Sequence, residues 1–317
     1  MLAPLLAALR ARYPQAALYV TAPPNLLPLF SGRPYGAHPL AFTERDPHAL
    51  EQLMPAKDCD IAFIPGDNIH AMTARAIGAK WVVAFANPRR RWKNRFADET
   101  IAFPKEPAAL GEIFASLARF NGELRYRAGD WPAPSFVPFP MPSKPYAVLH
   151  VGARSPLRFW PAERWAALAE KLTQRGTQVV WSAGAAEGDL IREIDPKNRF
   201  QSYAGRLDLA QLWHLIAGSD LLVTLDTGVA HLAKLTGTRT LCLFGPGSAP
   251  LLGRGVFWRD APFTEITVAD FPCRDQRMLF KREVTWVRHC ARTGTQCSRA
   301  RCMEALSVED VLAAVPA

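Results

Sequence analysis

The sequence has 317 residues, 49% of them hydrophobic and 21% charged, and a net charge of +9. That length holds two domains of ordinary size, and that balance excludes a disordered or fibrous chain. No apolar run reaches the ~18–20 residues that span a bilayer, and no basic leader or cleavage site precedes the first helix pattern, so a cytoplasmic chain is expected.

In chain order, Leu2, Leu5, Leu6 and Leu9 carry the i, i+3, i+4, i+7 spacing of a buried helix face, and Pro14 ends it. Strands are expected at Ala17–Thr21, Asp60–Ile64 and Trp81–Phe85, with helices at Ile69–Ile77 and Pro107–Phe120. Strand and helix in alternation predict an α/β layer with a parallel sheet. Residues Ala128–Pro145 hold six prolines and predict a stiff, extended linker. The expected domains are therefore 1–135 and 136–317.

The second domain is expected to open on strand Tyr146–Val151. A helix should follow with Pro161 at its first position, Trp165, Leu168, Ala169 and Leu172 on its buried face, and Gly176 as its cap. Strand Gln178–Ser182 comes next, then a helix capped by Asp208. Strands Asp220–Leu225 and Thr238–Phe244 flank a short helix from Gly228 to Leu235, and Ser307 opens a last helix. Two Rossmann-like domains facing a cleft would gather ligands at the carboxyl ends of their strands.

Chemistry concentrates in Asp220–Gly247, DLLVTLDTGVAHLAKLTGTRTLCLFGPG. An apolar strand runs into Asp226-Thr227-Gly228 and a helix begins at once. Free N–H groups at a helix start, with the helix dipole, suit a diphosphate. Thr227 adds a hydroxyl, Gly228 admits a phosphate to the backbone, and His231 lies one turn further on. The plain alternative is an ordinary capped turn with a core histidine. Two more strand ends carry small residues: His150-Val151-Gly152-Ala153-Arg154, leading to Arg158, and Ser182-Ala183-Gly184 before Glu187. Arg154 or Arg158 could neutralise a leaving diphosphate, and Glu187 could accept from ribose hydroxyls. Each has a bland counterpart in a surface arginine or a first-turn glutamate.

Together these three segments resemble glycosyltransferase family 9, the bacterial lipopolysaccharide heptosyltransferases, over roughly residues 146–312. The resemblance implies the GT-B fold and inverting, metal-independent transfer of a sugar, typically heptose from ADP-heptose, to the lipopolysaccharide inner core. It implies no required cofactor, since the ADP-sugar is a substrate. It implies donor binding by Gly152, Ala153, Arg154, Glu187, Asp226, Thr227, Gly228 and His231, with Arg158 where better-known members have a lysine. It also implies a first strand and a Gly-Asp loop whose Asp is the catalytic base. This sequence starts inside the following helix, so the N-terminal domain is expected to lack its first strand and Met1 is expected to be internal to a longer natural chain; were the natural chain this short, Asp67 or His70 would be the candidate substitute base, the alternative being that both are structural or acceptor-side residues. A related transferase of another sugar, or a family member that binds a nucleotide or glycan without turnover, remains an alternative.

Charge gives the remaining expectations. Arg89, Arg90, Arg91, Lys93 and Arg95 cluster around Trp92, and Arg89–Trp92 are expected to hold an anionic lipopolysaccharide acceptor. From Arg274 to Arg301 eight Lys/Arg face two acids. Such patches also suit peripheral contact with the inner face of the membrane; no nucleic-acid motif accompanies them, so none is expected as partner. Cys273, Cys290, Cys297 and Cys302 follow a C-x16-C-x6-C-x4-C spacing. That spacing lacks the close pairs of strong zinc sites, so free thiols are expected and a metal is the weaker reading.

Overall fold

The computed structural model describes residues 1–143 and 145–315. The chain divides into two compact units, Met1–Pro134 with Gly255–Phe257 and Arg277–Val287, and Ser135–Arg254 with Trp258–Gln276 and Arg288–Ala317. No helix among the described residues is long and apolar enough to cross a membrane.

The first unit opens on helix α1 (Ala3–Arg12), which buries Leu5, Leu6 and Leu9 as the spacing predicts. Strands β1 (Leu18–Ala22) and β2 (Ala37–Ala41) pair in parallel, β1 alternating buried and exposed residues. After α2 (Ala49–Gln52) come β3 (Ile61–Ile64), α3 (His70–Ala76), β4 (Trp81–Phe85) and β5 (Glu99–Ile101). The last three strands form a separate parallel sheet in the order β3-β4-β5. Helix α4 (Leu110–Ser116) is half the expected Pro107–Phe120. Its apolar residues Leu110, Ile113 and Phe114 are buried, but the chain beyond it tightens into a turn that ends on Arg119 in the left-handed region.

The second unit is one six-stranded sheet, built from β6 (Tyr146–His150), β7 (Gln178–Ser182), β8 (Gln201–Ser202), β9 (Leu221–Leu225), β10 (Thr240–Phe244) and β11 (Phe263–Thr267). All neighbours are parallel, in the order β11-β10-β9-β6-β7-β8. Strands β6, β9 and β10 are buried along their whole length, as a sheet covered on both faces requires. Helices α5 (Ala162–Gln174), α6 (Gly188–Ile194), α7 (Leu209–Ala217), α8 (Gly228–Thr236) and the short α9 (Ala249–Leu252), α10 (Arg301–Glu304) and α11 (Val308–Ala313) complete it. Pro161 stands at the N-cap of α5, one residue earlier than expected, and Gly176 takes the left-handed conformation just past its end. Asp208 caps α7 by accepting from the Gln211 N–H at 2.7 Å. One core runs through the unit, with Trp160, Trp165 and Trp181 fully buried. From β6 the chain winds outward to β8, then returns to the other side of β6 at β9. The order reverses there, and such a switch point opens a crevice at the strand ends.

The proline-rich stretch turns at residues 128–131 and forms neither helix nor strand from 132 to 143, with Lys144 outside the described residues. Its second half is strapped to the second unit rather than free: Tyr203 Oη donates to the Pro140 carbonyl at 2.7 Å, and the Phe136 ring stacks 3.8 Å from His214.

The segment Arg277–Val287 carries a hairpin, β12 (Met278–Leu279) with β13 (Arg282–Glu283). Its two turn residues, Phe280 and Lys281, have φ of 48° and 62°. A two-residue turn with both φ positive usually takes Asn-Gly, so this hairpin carries no local sequence signal.

Candidate functional site

The switch point of the second unit assembles the three segments singled out from the sequence. Asp226 follows the last residue of β9 and is 3% exposed. Thr227 is the N-cap of α8, its Oγ1 accepting from the Val229 N–H at 3.3 Å. Above Gly228 there is open space within 4 Å of where a Cβ would stand. The helix start is therefore accessible at the position where a phosphate would approach its N–H groups. Asp226 Oδ2 is buried and accepts no hydrogen bond among the described residues. Burial raises its carboxyl pKa, against the pull of Arg158 and Lys234. Arg158, on the loop after β6, donates to the Asp226 carbonyl oxygen and lies 3.6 Å from Oδ2. His231 is half-buried and makes no hydrogen bond among the described residues. Burial, with Lys234 and Arg158 nearby, holds it well below the usual imidazole range. It is neutral at pH 7, with one N–H to donate and one lone pair to accept.

On the other side of the switch point, Glu187 lies across the ends of β6 and β7. Its Oε2 accepts from the Gly184 N–H at 2.6 Å, and a Cβ on Gly152 would fall 1.8 Å from that oxygen. Ala153 is buried beside Gly152, whereas Arg154 is exposed and makes no hydrogen bond among the described residues. The structure thus brings Gly152, Glu187, Arg158 and Asp226–His231 to one end of one sheet, and leaves Arg154 at its rim.

Three supporting groups carried no sequence signal of their own. His150, at the end of β6, is 7% exposed and its Nδ1 lies 3.0 Å from Ser182 Oγ at the end of β7. Burial pushes its pKa down to about 4. Arg274, counted from the sequence within a basic patch, is a clamp: it donates to the carbonyls of Gly245 (2.6 Å), Phe244 (3.1 Å) and Val268 (2.8 Å). Lys234 is buried and donates to the Leu252 carbonyl, at the end of α9, at 3.1 Å. Arg274 thus ties the start of Gly245-Pro246-Gly247, where a Cβ on Gly247 would stand 2.1 Å from Asp226 Oδ2.

Cys273, Cys290, Cys297 and Cys302 are free and line a single cavity of about 460 Å³ together with Pro246 and Arg292. Among the described residues no three ligating side chains are grouped so as to hold a metal ion, so the thiols share a cavity without forming a ligand set.

In the first unit Arg89, Arg90, Arg91 and Trp92 are exposed, Arg89 Nη1 lying 3.2 Å from Met278 Sδ of the hairpin. Asp67 does not fit the role of a base. Lys93 Nζ is 2.7 Å from its Oδ1 and Lys281 Nζ 2.9 Å from its Oδ2. Burial raises its pKa, but these two hydrogen bonds prevail and hold it well below the usual carboxylate range. A carboxylate so stabilised takes a proton poorly. His70 Nε2 lies 3.2 Å from Glu44 Oε1.

A parallel sheet whose strand order reverses at a helix start defines a doubly wound α/β unit, and the solved structures give it the GT-B fold. The structure described as E. coli ADP-heptose lps heptosyltransferase II superposes with a TM-score of 0.67 at 22% identity, over 98% of this chain and 92% of that one. A model of glycosyltransferase family 9 (heptosyltransferase) matches residues 71–255, more than half of the sequence, and the chain belongs to that family. The lipopolysaccharide heptosyltransferase 1 of Pseudomonas aeruginosa is 33% identical over 154 residues, 45% of this chain and 43% of that protein. The lipopolysaccharide heptosyltransferase 2 of Salmonella typhimurium is 27% identical over 281 residues, 76% of this chain and 77% of that protein. The match thus spans less than half the length of the first relative and about three quarters of the second.

Proposed function

We propose that the chain transfers heptose from ADP-heptose to the lipopolysaccharide inner core, with inversion at the anomeric carbon. The observation that carries this reading is the strand-to-helix turn Asp226–His231, with open space over Gly228 and Arg158 bonded to the strand end. The diphosphate rests on the α8 N–H groups, within reach of the neutral His231 and the Arg158 guanidinium. Glu187 takes the ribose hydroxyls with Oε1, its Oε2 being held by Gly184. An acceptor hydroxyl attacks C1 of the sugar as the bond from C1 to the phosphate oxygen breaks; ADP leaves and the hydroxyl proton passes to solvent. The charge that develops on the leaving ADP is where preorganised donors count most. Arg89, Arg90, Arg91 and Trp92 hold the acceptor, and the reaction needs no further cofactor. Family membership supports the sugar-transfer chemistry. The activities of the similar heptosyltransferases support heptose and lipopolysaccharide. Contact with the inner face of the membrane, through the exposed arginines, follows from the same acceptor.

The test is a donor screen with the protein and a deacylated core acceptor, comparing ADP-heptose with ADP-glucose, UDP-glucose and GDP-mannose. Transfer from ADP-heptose at a kcat/KM at least ~10-fold above the others is expected. Equal use of another nucleotide sugar overturns the heptose assignment. Nucleotide binding without transfer of any sugar points to the non-catalytic alternative.

A further inference from the structure

The hairpin β12–β13 brings Lys281 and Arg282, more than 180 residues away in sequence, to the strand ends of the β3-β4-β5 sheet. Arg282 is 1% exposed. Every hydrogen-bond acceptor around it is neutral: the carbonyls of Gly66 (3.0 Å), Phe85 (3.1 Å), Ala86 (3.1 Å) and Phe280 (3.3 Å), and Asn68 Oδ1 (2.6 Å). Burial lowers its pKa to about 10, so it stays charged at neutral pH. Beside it Lys93, 5% exposed, and Lys281 share the single carboxylate of Asp67. Arg90 is close enough for its charge to be felt at Lys281. Two ammonium groups therefore share one carboxylate at the carboxyl ends of β3 and β4, where parallel sheets collect ligands, and the Asp67 charge is also felt at Arg282. Three cations, one of them buried with only neutral hydrogen-bond acceptors, against a single carboxylate leave a positive field that a second anion would complete. The turn that delivers Lys281 keeps two bulky residues at positive φ, a conformation with a cost that persists where the surroundings enforce it.

We propose that Lys93, Lys281 and Arg90, above the buried Arg282, form a binding site for an oxyanion, a carboxylate or phosphate monoester on the acceptor, and that Asp67 is its internal stand-in. In the free protein Asp67 holds the two lysines in place. The incoming anion takes the ammonium group of Lys281 and the guanidinium of Arg90, and competes with Asp67 for the former. The inference deepens the acceptor-side reading above and rests on it for the identity of the ligand's owner.

The experiment is equilibrium binding to the full chain by calorimetry, with glucose 6-phosphate, glucuronic acid and neutral methyl glucoside as probes. Binding of one or both anions with no binding of the neutral sugar is expected, and which anion binds names the group. Lys281→Ala should weaken that binding about tenfold, the loss of one charge-assisted contact. Asp67→Asn keeps an oxygen acceptor and removes the competing charge, so it should tighten binding severalfold, which a merely structural role would not do. Lys281 is exposed, so its variant remains informative if Asp67→Asn fails to fold. The proposal is overturned if neither anion binds at millimolar concentration, if methyl glucoside binds equally, or if folded Lys281→Ala binds as the parent does. ADP binding to the same variants reads the donor half separately and should not change. Loss of ADP binding in the parent protein would sink the donor reading and leave this one standing.

Discussion

Gly152 and Gly247 each lie against a carboxylate, and the two carboxylates differ in how far they can yield. A methyl group on Gly247 meets Asp226 Oδ2 at 2.1 Å, and Asp226 is locked between Arg158 and the core. Gly247→Ala should therefore displace the loop, costing about 1–3 kcal/mol as overpacking does, together with most of the ADP affinity. A methyl group on Gly152 meets Glu187 Oε2 at 1.8 Å, but this is the far end of a half-buried side chain that can swing outward. Gly152→Ala should leave stability within about 0.5 kcal/mol of the parent while weakening ADP binding severalfold. Denaturant unfolding and ADP titration on the same samples check the pair. Unchanged ADP affinity in Gly152→Ala would remove Glu187 from the donor site. These candidate donor residues were legible because strand end, cap and open glycine are adjacent in sequence. Arg154 shared their motif, and nothing in the motif alone distinguishes a side chain at the rim from one turned toward Asp226, as Arg158 is.

Among elements, strand ends are the part that matters, and β6 and β7 are tied at theirs by His150 and Ser182. Beyond this tie lie Gly152 and Gly184, the two residues that Glu187 rests on. Burial holds His150 at about 4, below the ordinary value of 6.5, so the folded protein resists its protonation while the unfolded chain accepts it. The stability contributed by the neutral ring is therefore fully present above pH ~6.5 and falls as the pH drops toward 4. At 1.36 kcal/mol per unit the loss over that window is roughly 3 kcal/mol. His150→Asn can still donate to or accept from Ser182 but cannot titrate. It should flatten that part of the profile, as unfolding free energies at pH 4.5, 5.5 and 7 would show; an unchanged slope refutes the assignment. Strand positions such as Gln178–Ser182 could be read because buried apolar runs bounded by turns have few alternatives. The tie between strands could not, since pairing partners are set by topology. Helix α4 was overread because its apolar period runs on to Leu117, and only the turn at Arg119 stops it. The β12–β13 hairpin was missed because Phe280-Lys281 is chemically unlike the residues its turn prefers.

The whole chain is not two consecutive halves. It leaves the first unit at Pro134 and contributes to it again with Gly255–Phe257 and Arg277–Val287. The basic stretch Arg274–Arg301, one patch in sequence, is accordingly split: Arg274 clamps a loop of the second unit, while Lys281 and Arg282 serve the first. Net charge by sequence window cannot show this, because whether a cation faces solvent or a ring of carbonyls is decided by contacts about two hundred residues distant. The return has an energetic consequence. Arg282→Ala would leave the carbonyls of Gly66, Phe85 and Ala86 and the Asn68 amide oxygen without this donor at the ends of β3 and β4. Orphaned buried acceptors cost about 1–3 kcal/mol each when no water replaces the donor. A total loss of about 3 kcal/mol or more is expected, confined to the first unit because every partner of Arg282 lies there. Hydrogen exchange resolved by peptide is the appropriate measurement. Amides of β3, β4 and β5 should lose protection in Arg282→Ala, while those of β6, β9 and β10 keep it. Equal loss in both units would mean that they unfold as one cooperative body, and that the hairpin stabilises the whole chain rather than the sheet it joins.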